Sequence, residues 1–448
     1  MLLKPINSHM KGSLNNMFVS DNLTVNEKGN LAIAGQDTVE LAKKYGTPLY
    51  VMDEQLVRKH CRSFKNSIDK FYGGNGLVCY ASKAFCCKEM CRIVTSEKCG
   101  LDVVSAGELY TAIKAGADCE NICFHGNNKT DEELRFAVEN NVGRIIVDNI
   151  SELSRLNAIA EANGVTARIM FRIKPGIDAH THNFVKTGQI DSKFGFALET
   201  GEAFEAVKIA LSHKNIMLRG LHCHIGSQIF DIAPFEAAAE VMLKFIAKIK
   251  NELGFEVKEL NLGGGFGIKY LNEHDPVPYE TYMEKVSVKV HQSCKELGIT
   301  LPFILIEPGR SIAGPAGITL YTVGARKEIP NIRTYVSIDG GMGDNPRYAL
   351  YKSEYEAIVA NKASQERDEK VTIAGKCCES GDLIGEGMKL QHAEAGDIIA
   401  VCATGAYNYS MSSNYNRIPK PAVVFVNEGK SSVAVKRETY EDIVRNDI

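Results

Sequence analysis

Lys83 lies in Tyr80-Ala-Ser-Lys-Ala84, just after a short apolar run. An amine partly withdrawn from water at such a point can attack a carbonyl and form a Schiff base. A lysine that snorkels to the surface is the commoner case. Two further apolar runs end in Gly263-Gly-Gly-Phe-Gly267 and in Glu307-Pro-Gly-Arg310. Glycines let backbone N–H groups come close to an anion, and Arg310 brings a planar, permanently charged fork. The glycine run is not a dinucleotide fingerprint, because Ile268 stands where the last glycine would be needed. No Gly-Lys-Ser/Thr follows it, so it is not a P-loop either. Alone, such glycines are more often a tight turn; beside Arg310 they read as a phosphate site. Glu307 is either an ordinary ion-pair partner or the holder of a cofactor cation. A Schiff-base lysine, a phosphate cradle and a carboxylate that keeps a pyridine nitrogen protonated are the parts that pyridoxal 5′-phosphate requires.

The histidines support a rival. His222 and His224 are two apart, as are His180 and His182. In an extended strand such residues share a face and suit zinc. A metal-dependent barrel hydrolase would explain these pairs but not Lys83, Gly263–Gly265 or Arg310. The plain alternative for His222 is packing in a barrel core, and His224 at the rim would instead cover one face of a planar ring. A third class, a non-catalytic cofactor-binding regulator, would be expected to lack the lysine or the cysteine considered below.

The elements that must position these groups follow a pattern between residues 77 and 309. Leu77–Ala81, Leu101–Val104, Ile122–Phe124, Ile145–Asp148, Ala167–Ile173, Leu218–His222, Glu259–Leu262 and Phe303–Glu307 read as strands. Between them lie segments of helical period such as Gly107–Ala115 and Phe235–Leu253. Strand–helix alternation implies right-handed βαβ units and a parallel sheet. Eight units over this span fit a (β/α)8 barrel of about 250 residues; an open doubly wound sheet is the alternative. Chemistry in such a barrel sits at the C-terminal strand ends. Here those ends carry Lys83, Ser105, His125, Asp148, Arg172, His224, Gly263–Gly265 and Glu307. A helix N-capped by Asp53, with the stripe Val57, Cys61, Phe64 and Ile68, precedes the barrel. After residue 310 strands dominate: Ile318–Val323, Tyr335–Ile338, Val371–Ala374, Ile398–Ala403, Ala422–Val426 and Ser432–Val435, the last two joined by a turn at Asn427–Gly429. The expected organisation is an α/β barrel domain at 48–310 and a mainly β domain at 1–47 and 311–448, which takes in the strand-like Leu31–Ala34. Ser353–Lys370 reads as a solvated excursion.

Composition narrows the class. The chain has 448 residues, 44% hydrophobic and 24% charged, with a net charge of −3. Disorder and fibrous repeats do not fit these values. There is no basic excess for nucleic acid, no apolar run long enough for a membrane helix, and no charged-then-apolar leader. The 13 cysteines include two neighbouring pairs, Cys86–Cys87 and Cys377–Cys378, and no CxxC. They read as core residues of a protein in a reducing cytoplasm.

From about Leu49 to Asn416 the ordered motifs resemble the alanine-racemase-like, fold-type III pyridoxal-phosphate decarboxylases. Within that family the resemblance is to the branch acting on meso-2,6-diaminopimelate. The motifs are Tyr80–Ala84, His125-Gly-Asn-Asn-Lys129, Asp178-Ala-His-Thr-His182, Gly188 through Ser192-Lys-Phe-Gly195, His222-Cys-His-Ile-Gly-Ser-Gln228, Leu262–Phe266, Glu307-Pro-Gly-Arg-Ser311, Asp344-Asn-Pro-Arg347, Cys378-Glu-Ser-Gly-Asp382 and Gly405-Ala-Tyr407. The resemblance implies that Lys83 forms the Schiff base and His224 stacks on the ring. Ser227, Gly264, Gly265, Arg310 and Tyr407 would hold the phosphate, and Glu307 would pair with the pyridinium. Arg310, Arg347, Tyr351 and Tyr407 would meet the substrate, Arg310, Arg347 and Tyr351 at a carboxylate. Cys378 would donate a proton, and Glu379 would receive the distal ammonium. A homodimer with shared sites, Cys378–Asp382 entering the neighbour's, is also implied. Ornithine-type relatives carry Asp directly after the cysteine. Glu379 and Ser380 instead suit a substrate with a distal amino and carboxylate group. Two positions depart from the family: Phe85, often Asn, and Cys377, often His.

Overall fold

A computed structural model describes residues 18–177 and 192–448 of the chain. His180 and His182 lie outside those residues. The chain forms two compact units. One comprises Val57–Gly267 and Pro276–Ile312; the other comprises the described residues up to Leu56, Ile268–Asp275 and Ala313–Ile448.

The first unit is a barrel of parallel strands: β1 (Gly76–Ala81), β2 (Gly100–Val103), β3 (Ile122–Phe124), β4 (Arg144–Val147), β5 (Ala167–Lys174), β6 (Ile216–Cys223), β7 (Glu259–Asn261) and β8 (Phe303–Ile306). Each pairs with the next, and β8 returns to β1 with Ile304–Ile306 opposite Gly76–Val78. The barrel is therefore closed, and the open-sheet alternative is excluded. The expected strand ends are displaced by no more than two residues. Inside, Cys79, Cys123, Ile146, Met170 and Leu305 form a packed apolar cluster. A buried bidentate pair joins Arg144 on β4 to Glu259 on β7, at 2.6 and 2.9 Å. Apolar side chains from alternate strands fill such an interior, so polar groups are driven to its ends.

The helix Glu54–Tyr72 starts where Asp53 Oδ1 accepts the N–H groups of Gln55 and Leu56, at 2.9 and 3.2 Å. Its stripe Val57, Cys61, Phe64 and Ile68 is buried, as the period requires. Phe64 packs on Phe266, ring centroids 5.0 Å apart, and Phe266 stacks on Phe235 at 5.3 Å. This aromatic cluster pins the glycine segment after β7 to the helical layer.

The second unit is mainly β. Leu49–Asp53 runs antiparallel to the start of Gly317–Ile329 and parallel to Ala422–Asn427. In the last hairpin Asn427 faces Lys430, with Glu428 and Gly429 at φ 47° and 78° making the turn expected there. Leu31–Ile33 is the central strand of a small three-stranded sheet in this unit. Two differences from the sequence reading stand out. Leu383–Leu390 is an unforeseen strand paired with Glu369–Ala374. Ser353–Lys370 is not a solvated excursion: Ala357–Val359 pairs with Ile399–Val401, and Tyr355, Ile358, Val359, Ala360 and Ala363 are buried. Charged flanks outweighed this short apolar run in the composition, but three residues suffice to join a sheet.

Candidate active site

The barrel brings its expected groups to one rim. Lys83 sits on the turn Ser82–Ala84 directly after β1, with its side chain exposed. Its charge acts on His224, Asp102 and Glu108, so it lies near these groups. The turn is tied to the loop after β8 by Ala81 N–H donating to the Pro308 carbonyl at 3.2 Å. Gly309 in that loop packs so closely that a Cβ would lie 2.9 Å from the Ala81 Cβ.

Glu307, buried just beyond β8, is the most constrained group. Its Oε1 accepts from His125 Nε2 at 2.8 Å and Asn261 Nδ2 at 2.6 Å, and its Oε2 from His222 Nε2 at 3.1 Å. Burial pushes its carboxyl up, but His125 and His222 outweigh that and hold it well below the usual carboxylate range. Burial pushes His222 down to about 3, so at neutral pH it is an uncharged donor. Burial, with the charges of Lys83 and Arg172, also holds His224 well below its ordinary value.

An anion cradle lies beside them. Arg310 Nε and Nη2 donate to Ser227 Oγ at 3.2 and 2.9 Å. The glycine segment threads between the loops after β6 and β8. A Cβ on Gly264 would lie 2.1 Å from the Glu307 carbonyl oxygen, and one on Gly265 would lie 2.4 Å from that of Gly226. Gly265 also has φ +109°, a conformation open to glycine. The Gly264 N–H donates to His224 Nδ1 at 3.3 Å, which orients the ring. A guanidinium, a hydroxyl and bare backbone suit a phosphate, and an ionised Glu307 suits a pyridinium nitrogen. These residues fit pyridoxal phosphate.

The metal reading is regrouped by the fold. His222 points to Glu307 and His125, and these three could hold a metal ion; His224 is not among them. His222 is both core and partner: it lies on β6, whereas His224 follows the strand's end and turns to Gly264. Sequence reasoning missed Asn261 and Asp102 and gave His125 no role beyond the rim. Asn261 left a signal, a polar residue inside a buried strand that must find a partner.

In the β unit, Arg347 is buried and donates from Nη1 to the Tyr355 and Tyr270 hydroxyls at 2.6 and 3.2 Å. Its guanidinium lies 5.9 Å from the Tyr407 ring centroid. Tyr407 has φ +68°, a left-handed backbone that a bulky residue rarely adopts. Tyr351 is exposed at the end of the short helix Arg347–Tyr351. Cys378 and Glu379 lie on an exposed turn. Asp382, buried beneath it, accepts the N–H groups of Cys377 and Met342 at 2.7 and 2.5 Å, and Asn416 Oδ1 accepts that of Cys378 at 2.8 Å. Phe85 is buried, with its carbonyl accepting from Tyr80 Oη at 2.9 Å.

Residues 54–314 match the family model for the pyridoxal-binding domain of pyridoxal-dependent decarboxylases. The diaminopimelate decarboxylase of Bacillus methanolicus is 50% identical over 94% of this chain and 98% of its own length. That of Bacillus subtilis is 49% identical over 96% and 98%. The crystal structure of diaminopimelate decarboxylase from M. jannaschii in complex with L-lysine superposes with a TM-score of 0.89 at 35% identity, covering 96% of this chain and 99% of that one. Closed barrel, rim chemistry and near-full-length identity agree, and this chain belongs to the diaminopimelate decarboxylases of the pyridoxal-dependent decarboxylase family.

Proposed function

We infer that this chain converts meso-2,6-diaminopimelate to L-lysine and carbon dioxide, the last step of lysine biosynthesis, with pyridoxal 5′-phosphate as cofactor. The observation that carries this is the rim: Lys83, the Ser227–Gly264–Gly265–Arg310 cradle and an ionised Glu307 on the strand ends of one barrel. When bound, pyridoxal phosphate supplies a conjugated cationic ring that takes up the electron pair of the breaking Cα–carboxylate bond. The protein's part is position and charge. Lys83 would hold the aldehyde carbon. Ser227, Gly264, Gly265, Arg310 and Tyr407 would hold the phosphate, Glu307 the ring nitrogen and His224 one ring face. An uncharged His224 adds no like charge beside the ring.

On the substrate side, Arg310, Arg347 and Tyr351 would hold a carboxylate, with Tyr407 beside it, and Glu379 the distal ammonium. Cys378 would hold the proton delivered to Cα. The exposure of Cys378–Gly381 on its own unit supports a homodimer in which this turn enters the partner's site. The thirteen cysteines are free thiols, which supports a cytoplasmic location; no helix among the described residues is long and apolar enough to cross a membrane.

The test is to incubate the protein with pyridoxal phosphate and, separately, meso-diaminopimelate, ornithine, arginine and lysine. Carbon dioxide from diaminopimelate alone is expected; release from ornithine or lysine instead would overturn the substrate. Borohydride should fix the cofactor on Lys83, and stoichiometric zinc without such labelling would restore the hydrolase.

A further inference from the structure

We propose that His125, His222 and Asn261 form a donor cage that orients the Glu307 carboxylate and keeps it ionised for the cofactor's ring nitrogen, and that Lys129 and Glu152 hold the His125 loop in place for this purpose. All five are positioning residues, and the inference rests on the pyridoxal-phosphate reading. A buried carboxylate without donors would take up a proton or leave the interior. Here the donors come from three strand ends, those of β3, β6 and β7, and converge on one group after β8. A carboxylate accepts at about four positions. The three side chains occupy two on Oε1 and one on Oε2, so Oε2 can still accept one further N–H. His222 Nδ1 is buried without a hydrogen-bond partner, which fits a ring carrying its single proton on Nε2, toward Glu307. The nearby Asp102 is buried, and burial pushes its carboxyl up, which disfavours a second negative charge 3.8 Å from His125 Nε2.

The motif His125-Gly-Asn-Asn-Lys129 gains a physical meaning from this. Lys129 is buried, and its Nζ donates to the carbonyls of Gly126 and Ile146 and to Glu152 Oε1, each at 2.8 Å. All three of its N–H groups are thereby used. Gly126 turns the chain at φ +127°. The ammonium thus staples the loop to β4, and the histidine one residue before the turn is held against Glu307.

The test compares holoenzymes of wild type, His125→Leu and His125→Gln, the last placing an amide N–H close to where Nε2 stood. Cofactor dissociation and the absorption bands of bound cofactor across neutral pH are measured. His125→Leu should hold the cofactor roughly 10- to 100-fold more weakly, as expected for losing a hydrogen bond to a charged group, with bands that become pH-dependent. His125→Gln should restore both to near wild type. A purely structural histidine would shift thermal stability and leave the bands alone. Wild-type affinity and bands in His125→Leu would overturn the cage while Lys83 labelling kept the functional reading intact. Should the leucine variant fail to fold, the wild type decides: a bound cofactor whose ring nitrogen titrates near neutral pH overturns the cage. A wild type that takes up no cofactor would overturn the reading and the cage together.

Discussion

Glu307 at the barrel rim and Glu379 in the β unit are both acidic residues expected to meet a cation, yet they are held in opposite ways. Glu307 is buried and receives side-chain hydrogen bonds from three other strand ends. Glu379 is exposed on a turn shaped through its main chain by Asp382 and Asn416. A charge taken out of water must be paired where it lies. The buried carboxylate and the donors that pair it are therefore all supplied by one barrel. The Cys378–Gly381 turn carries no such demand; its side chains stay in water, where a substrate or a second chain can reach them.

The contrast is broken most severely at its buried end. Glu307→Gln keeps the shape but removes the charge among its donors. Disrupting a buried pair costs roughly 3–5 kcal/mol, so turnover should fall by about 10²- to 10⁴-fold. The loss should appear in cofactor affinity and absorption as well as in kcat. A holoenzyme of normal affinity and spectrum would show that Glu307 does not meet the ring. At the exposed end, Cys378→Ala should leave cofactor affinity unchanged and lower kcat by about 10²-fold, the usual range for a lost proton donor. A parallel loss of cofactor would place the cysteine in cofactor binding instead.

The smallest effect separates the two units by pH. Asp344 in the β unit accepts from Tyr321 Oη at 2.5 Å and from Gly341 N–H at 3.0 Å, yet burial pushes its carboxyl from 3.8 up to about 7. Between those values the folded chain holds a proton that the unfolded chain releases. This contribution to stability is full at low pH and is lost as pH rises toward 7. The shift sets an upper bound of ~4 kcal/mol; relaxation around the charge reduces this, and ~1–2 kcal/mol is expected. Denaturant titrations of Asp344→Asn against wild type should show the variant gaining relative stability from acid to neutral pH. A pH-independent difference would mean that burial leaves the Asp344 carboxyl at its ordinary value.

Much of this molecule is written locally. Apolar runs alternating with helical period, and a polar residue or glycine after each run, identify the eight barrel strands because strand ends and amphipathic faces are properties of neighbouring residues. Lys83, Gly263–Gly265 and Glu307 are legible for the same reason, each closely following an apolar run, and Arg310 is legible from the loop that Glu307 opens. The hairpin at Glu428-Gly429 and the cap at Asp53 are equally local. What surrounds Glu307 was not legible. His125, His222 and Asn261 are 182, 85 and 46 residues from it in sequence, and only closure of the barrel puts their donors on one carboxylate. Likewise, Ala357–Val359 carries too few apolar residues to declare itself, and its burial follows from pairing with Ile399–Val401. Sequence alone determined which side chains stand at strand ends, since local patterning sets that; the tertiary structure decided which of them share a proton or a charge, since that depends on contacts between distant segments.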